Sequence, residues 1–307
     1  MSYSGAGNRA SKNERRDAAR EKARAMREQQ RKRERRNRWF IQGGIAVVVI
    51  AAAVIVSLVL WSSRSTPSAG PVNMQSDGIL LAKDAKAVPT PAIPAGGQPV
   101  PTTRDKKSSV VSIRIYLDYF CPICNEFETA NYDQLTSWMK SGAATVEIHP
   151  ISFLDRSSEG TRYSSRAANA AGCVATYAPD DYWAWTHEMY LEQPEENSPG
   201  LTNAQIIGVM KKAGVHNLSK ITTCVNDERY KSWVTDATQR AVDGPLPDSN
   251  VKTVAGTPTV IVDGQSFPIT DASVSSAAAF ATFVEQAASA SATTTTPTPT
   301  PSPIPTK

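Results

Sequence analysis

An α/β domain with a block of helices inserted between its strands, preceded by one transmembrane helix, is the fold this sequence predicts. Three observations lead there. Trp39–Trp61 (WFIQGGIAVVVIAAAVIVSLVLW) is a 23-residue run without a charge. A Val/Ile-rich segment, Ser109–Leu117, runs almost directly into Cys121-Pro122-Ile123-Cys124 and a stretch of helical periodicity. Far downstream, after a long helical region, Gly256-Thr257-Pro258-Thr259 opens a second apolar strand that ends on Asp263-Gly264.

Of the 307 residues, three stretches lack core-forming patterns: the first 70, the segment Pro89–Pro101, and the Thr/Pro-rich tail from Thr293. What remains, Val72 to Ala290, is about 200 residues and suits one domain with its own core. The net charge of +4 conceals a division. Residues 9–38 carry 14 Lys/Arg against 5 Asp/Glu, and the rest of the chain 19 against 24. A basic arm on an acidic body argues against a nucleic-acid-binding domain.

The run Trp39–Trp61 explains the arm. About 20 apolar residues span a bilayer core, and tryptophan favours the headgroup interface. Lys and Arg crowd the N-terminal flank, so the positive-inside bias leaves the N-terminus in the cytoplasm and everything after Trp61 outside. A cleaved signal peptide is the rival, but the 38-residue charged lead and the long apolar run favour an uncleaved anchor. The expected order is a basic arm at 1–38, a transmembrane helix at 39–61, a linker at 62–71, the folded domain at 72–290 and a disordered tail at 291–307. All four cysteines fall on the exported side, where an even number suggests two disulfides rather than a metal site.

Within the folded domain, Asp77–Ala82 reads as an opening strand, and the prolines between Pro89 and Pro101 as a semi-extended connection. Ser109–Leu117 is a strand. The helix after the Cys-x-x-Cys is marked by Phe127, Leu135, Trp138 and Met139, with Gly142 as its stop. Ala144–His149 is a strand again. Several helices follow from Ser157 to Val242, broken at Pro179, Pro194–Gly200 and Gly214, so the helical insertion occupies about 157–243. Thr257–Val262 and Gln265–Ile269 pair as a hairpin, and Ala272–Ala288 closes with a helix.

A Cys-x-x-Cys at the start of a helix is redox chemistry for a physical reason. The first sulfur sits among unpaired N–H groups at the positive end of the helix dipole, which stabilises its thiolate. That makes Cys121 the accessible, attacking or attacked sulfur and Cys124 the buried, resolving one. Pro122 fits the first turn, where its missing N–H costs nothing. A zinc site would need two more ligands. Cys173 and Cys224 are 51 residues apart, and His149, His187 and His216 are scattered, so neither a metal nor a cofactor is expected. Pro258 is unusual at the head of a core strand, because it removes a ladder hydrogen bond. A cis Thr257–Pro258 bond resolves this; a trans proline opening an edge strand is the alternative.

Asp118-Tyr119-Phe120-Cys121-Pro122-Ile123-Cys124 with Glu126-Phe127-Glu128, the strand end His149-Pro150, Ser164–Gly172 leading into Cys173, and Gly256-Thr257-Pro258-Thr259 together resemble the DsbA family. The resemblance is closer to its bacterial membrane-tethered members, and it covers about Asp77 to Ala288. The resemblance implies a thioredoxin fold with an inserted helical domain and an active disulfide between Cys121 and Cys124. It also implies a cis Pro258 packed against that disulfide, with the Thr257 backbone pairing to the substrate chain. The implied redox partner is a quinone-linked membrane oxidase of the DsbB or VKOR type. Two departures stand out. Ile123 occupies the position where the best-known oxidase of the family has a histidine. Ile115 stands six positions before Cys121, where many relatives carry an acid. Asp118 is expected to be solvated or to cap its loop.

Cys173 and Cys224 both fall in the helical block and neither has a Cys-x-x-Cys neighbour. A structural disulfide is favoured, with a second redox pair or free thiols as rivals. The leading function is a thiol–disulfide oxidoreductase that forms disulfides in exported, cysteine-containing proteins. A reductase or isomerase using the same sulfurs is the alternative. A non-enzymatic envelope binding protein on the same scaffold is a third reading, which the intact Cys-x-x-Cys disfavours.

Overall fold

The computed structural model describes residues 68–105 and 108–294, together with Glu21, Lys22, Met26 and Lys32 of the basic arm, which are helical. The expected span Trp39–Trp61 and the tail beyond Thr294 lie outside the described residues. Among the described residues, no helix is long and apolar enough to cross a membrane.

Five strands form one sheet: β1 (Ile79–Leu81), β2 (Val111–Leu117), β3 (Ala144–Pro150), β4 (Thr259–Val262) and β5 (Gln265–Ser266), in the order β1-β3-β2-β4-β5. Helix α1 (Pro122–Ser141) connects the parallel pair β2 and β3, while β1, β4 and β5 pair antiparallel to their neighbours. The run of buried residues from Ile113 to Leu117 shows that β2 is covered on both faces. Ile115 and Leu117 meet Phe127 and Leu135 of α1 on one face. Tyr116 packs on the other, in a smaller cluster with Ile151, Leu246, Val254 and Ile261.

That second face carries charge. Arg114 and Glu147 are register partners on β2 and β3, 6 % and 2 % exposed, with Arg114 Nε donating to Glu147 Oε2 at 2.8 Å. Ser76 and Thr102 donate to the other carboxylate oxygen at 2.6 and 2.7 Å. The remaining guanidinium nitrogens reach the Pro247 and Thr102 carbonyls. Burial alone would raise the Glu147 carboxyl, but His149, Arg114 and Ser76 together hold it well below the usual carboxylate range.

The helix α1 starts and stops as its sequence dictates. Cys121 is the extended residue before it, Pro122 takes its first turn, and Gly142 leaves it at φ 77°. The Gly142 and Ala143 N–H groups close on the Met139 and Trp138 carbonyls. Between β3 and β4 lie five helices: α2 (Tyr163–Tyr177), α3 (Tyr182–Leu191), α4 (Asn203–Lys212), α5 (Leu218–Asn226) and α6 (Lys231–Asp243). From Ala167 to Ala175, α2 is buried without a break, as a helix with small residues on every side should be. A Cβ on Gly172 would meet Pro71 at 2.8 Å and Tyr230 at 2.9 Å, so only glycine permits that approach. Helix α7 (Ala277–Thr294) lays Phe280 edge-on against Phe127 and Phe267.

Three local expectations are corrected. The return strand β5 covers only Gln265–Ser266, because Pro268 has no N–H to continue the ladder after Phe267 donates to Val260. The last helix starts at Ala277 rather than Ala272, since Thr270 and Ser273 bond to each other in a turn before it. The expected linker is packed at its end: Ser68 bonds Ser232 and the Gly70 N–H donates to the Ile93 carbonyl.

Candidate active site

Strand β2 ends at Leu117, and a tight turn over Asp118–Phe120 delivers Cys121 to the head of α1, its N–H donating to the Asp118 carbonyl. Cys121 and Cys124 are both free thiols and both buried, at 5 % and 2 % exposure. The sequence predicts an accessible Cys121 and a buried Cys124; the exposures differ little, and what separates the two sulfurs is their surroundings.

The Cys121 thiol is lowered to about 7, first by a hydrogen bond from the Cys124 thiol. Burial opposes this, while the Thr257 side chain and the Cys124 backbone N–H assist it. The helix N-terminus therefore contributes as the sequence implied, but the neighbouring thiol contributes more. As a thiol, Cys121 donates to the Thr257 carbonyl at 3.2 Å. Cys124 is pushed well above its ordinary value, first by burial and then by the adjacent Cys121 sulfur. One turn of helix thus holds two opposite thiols.

The Thr257–Pro258 bond is cis, at the head of a strand that pairs with β2 rather than at an edge. Pro258 lines the same small cavity as Cys124. Asp118 is not solvated. It is completely buried and caps its loop, with Oδ1 accepting from the Phe120 N–H at 2.9 Å and Oδ2 from the Leu154 N–H at 2.8 Å. Burial raises its carboxyl to about 6, against the pull of those two N–H groups. Ile115 lines the cavity beneath Cys124 and brings no charge to it, and Ile123 is 38 % exposed beside the dithiol.

A family model described as Thioredoxin matches residues 102–286. The chain belongs to the thioredoxin family. The matched region holds the Cys-x-x-Cys dithiol, the cis Thr257–Pro258 bond and the inserted helices. Among solved structures it is similar to reduced DsbA from Mycobacterium tuberculosis, at 24 % identity over 72 % of this chain and 100 % of that one, with a TM-score of 0.49. Reduced DsbG from the same organism is similar at 24 % identity over 73 % and 96 %, TM-score 0.49. MdbA from Corynebacterium diphtheriae follows at 19 % over 73 % and 96 %, TM-score 0.48. No curated protein matches the sequence.

The thioredoxin-type site is finished by residues that the sequence did not point to. Gln193, just past α3, donates to the Tyr119 and Cys121 carbonyls at 3.1 and 3.0 Å. Asn125 of α1 donates to the Tyr190 carbonyl and to Gln193 Oε1. The Tyr190 hydroxyl reaches the Asp118 carbonyl. The helical block therefore grips the redox turn directly. A weak signal for this lay in the aromatic density of Tyr182–Tyr190.

Cys173 and Cys224 form a disulfide joining α2 to α5, both fully buried. Each histidine lies beside a carboxylate: His149 by Glu147, His187 by Glu128, His216 by Asp181. Among the described residues, no group of three His, Cys, Asp or Glu side chains is placed to hold a metal ion.

Proposed function

We propose that this chain is a membrane-anchored oxidase that forms disulfides in exported, cysteine-containing proteins on the extracytoplasmic side. The observation that carries disulfide exchange at this pair is the opposition of the two thiols: Cys121 lowered to about 7 and Cys124 raised by burial. A substrate thiolate attacks Cys121 Sγ in the oxidised protein, and the Cys121–Cys124 bond breaks with the electron pair left on Cys124. A second substrate thiolate attacks the substrate sulfur of the mixed disulfide, and Cys121 leaves as a stabilised thiolate. Stabilising that thiolate favours the reduced protein, which is what gives a dithiol oxidising power.

Thr257 and Pro258 form the substrate groove in this reading, with the Thr257 backbone beside the attacked sulfur. The uncharged Trp39–Trp61 run behind a basic flank supports the anchor and its orientation. Electrons pass from the reduced dithiol to a membrane oxidase of the DsbB or VKOR type. The exposed Ile123, which offers no imidazole to Cys121, favours a second reading as a reductase or isomerase.

The potential of the Cys121–Cys124 couple against glutathione decides between them. A value toward about −120 mV supports the oxidase, and one near about −270 mV replaces it with the reductase. Cys124→Ser is expected to accumulate mixed disulfides through Cys121 on a non-reducing gel, and Cys121→Ser none. Equal trapping by both refutes the division of roles. A reporter fused after Lys307 is expected to be active outside the membrane; cytoplasmic activity overturns the location.

A further inference from the structure

The exchange leaves one chemical need unmet. Each turnover makes or consumes a thiolate at Cys124, a sulfur 2 % exposed whose charged form burial disfavours. A proton must reach it quickly, and Ile115 of β2, which lines the same cavity, has none to give.

Another carboxyl is in place. Glu128 lies four residues after Cys124, one turn along the same face of α1, and is 5 % exposed. Both residues line one cavity of about 10 Å³, together with Thr186 and Tyr190 of α3 and Pro258. Cys124 and Glu128 therefore border the same space between α1 and α3. On its other side Glu128 meets His187, whose Nδ1 is 3.0 and 3.1 Å from the two carboxyl oxygens. The His187 side chain is 23 % exposed, against 7 % for Glu128, and its ring stacks on Tyr132 at 3.6 Å. The groups run from a buried sulfur through a buried acid to a histidine that reaches solvent.

We propose that Glu128 is the proton donor and acceptor of Cys124, and that His187 carries the proton between Glu128 and solvent. When a thiolate attacks Cys121 and the Cys121–Cys124 bond breaks, the electron pair stays on Cys124. The Glu128 carboxyl proton passes across the cavity to that sulfur, and the carboxylate is reprotonated from solvent by way of His187. In the reverse direction the Cys124 S–H gives its proton to the Glu128 carboxylate. Its sulfur then bonds Cys121, and the partner thiol leaves with the electron pair. Burial raises the Glu128 carboxyl to about 7, against the pull of His187, so both protonation states are populated near neutrality.

The ionisable groups around this path are few. Cys121 and Asp118 face Cys124, with the Tyr190 hydroxyl from α3, while Tyr119, Tyr132 and His187 face Glu128. Asp133 and Glu188 lie farther out, beside Tyr132. Asp118 is the competing acid, but both its oxygens are held by backbone N–H groups and it does not line the cavity.

The proposal rests on disulfide exchange at Cys121–Cys124, in either net direction. Its test is the pH profile of single-turnover exchange with glutathione in the full chain, which follows mixed-disulfide resolution by Cys124. Glu128→Gln is expected to slow resolution about a hundredfold and to flatten the profile across the interval around pH 7 where Glu128 titrates. Glu128→Asp is expected to retain part of the profile. His187→Ala is expected to slow the step and to recover when imidazole is added to the buffer. The Cys121 titration should stay in place in all three. A wild-type profile in Glu128→Gln overturns the relay, and so does a profile that moves only in Asp118→Asn. Should Glu128→Gln not fold, a loss of the profile in His187→Ala that imidazole does not restore overturns it equally. Absence of exchange in the wild-type chain is a different failure, that of the oxidoreductase reading itself.

Discussion

Replacing Cys173 and Cys224 together with alanine tests whether the second cysteine pair braces the fold or takes part in the chemistry. The bond closes a loop across a separation of 51 residues, between two helices of the inserted block. In the chain-entropy account, opening a loop of that length releases about 4 kcal/mol to the unfolded state at 25 °C. For a domain of this size, about 1 kcal/mol shifts the melting temperature by about 2–4 °C, so the double variant should melt about 8–16 °C lower. Both cysteines are fully buried, and alanine leaves no buried polar atom unpaired in their place. The assay is calorimetry on both proteins with Cys121 and Cys124 in the same redox state, followed by glutathione exchange at a temperature where both are folded. A shift under about 4 °C would refute the loop-closure reasoning. Loss of exchange in a folded variant would refute the structural role.

Two other perturbations follow from the buried charges. The ultraviolet absorbance of the thiolate should titrate with a midpoint of about 7 in the reduced protein, and Cys124→Ala should move it upward, because the Cys124 thiol is the largest cause of the lowering. The sign for stability follows from the lowered value: Cys121 adds to the stability of the reduced form as pH rises above about 7 and loses that contribution as pH falls through it, which melting curves on either side check. Arg114→Met leaves Glu147 buried without its ion-pair partner and should cost about 3–5 kcal/mol by denaturant unfolding. A cost under about 1 kcal/mol would mean that Ser76, Thr102 and His149 suffice to hold the carboxylate.

What could be read from the sequence was what lies close together along it. Ser109–Leu117 announces a buried strand by composition, and Cys121–Cys124 announces its chemistry because strand, turn and helix are contiguous. Pro258 was legible only as an oddity, a proline where a core strand needs a donor, until the Cys-x-x-Cys gave it a context. Arg114 is less legible: it stands between two isoleucines, yet its guanidinium is bonded by groups from three distant segments. Gln193 and Asn125, 68 residues apart, and Glu128 and His187, 59 residues apart, meet only because the helical block folds back onto α1. No periodicity or spacing marks such pairs, since their partners are set by packing.

The inserted helices therefore do more than fill space between β3 and β4. A Cys-x-x-Cys at a helix N-terminus already lowers its first thiol, because the donors there are local to the turn. For the second, the local cause is the adjacent Cys121 sulfur, and burial outweighs it. Cys124 is raised because Trp183, Thr186 and Tyr190 of α3 close over it and remove water, with Pro258 sealing the cavity from the sheet side. The same helix ends in Gln193, which holds the Cys121 carbonyl and so keeps the first turn in the position where the Cys124 thiol can donate to the Cys121 sulfur. One element of the insertion thus raises one thiol by burial and helps lower the other through it. The difference between the two sulfurs, on which the direction of exchange depends, is a property of the insertion as much as of the motif.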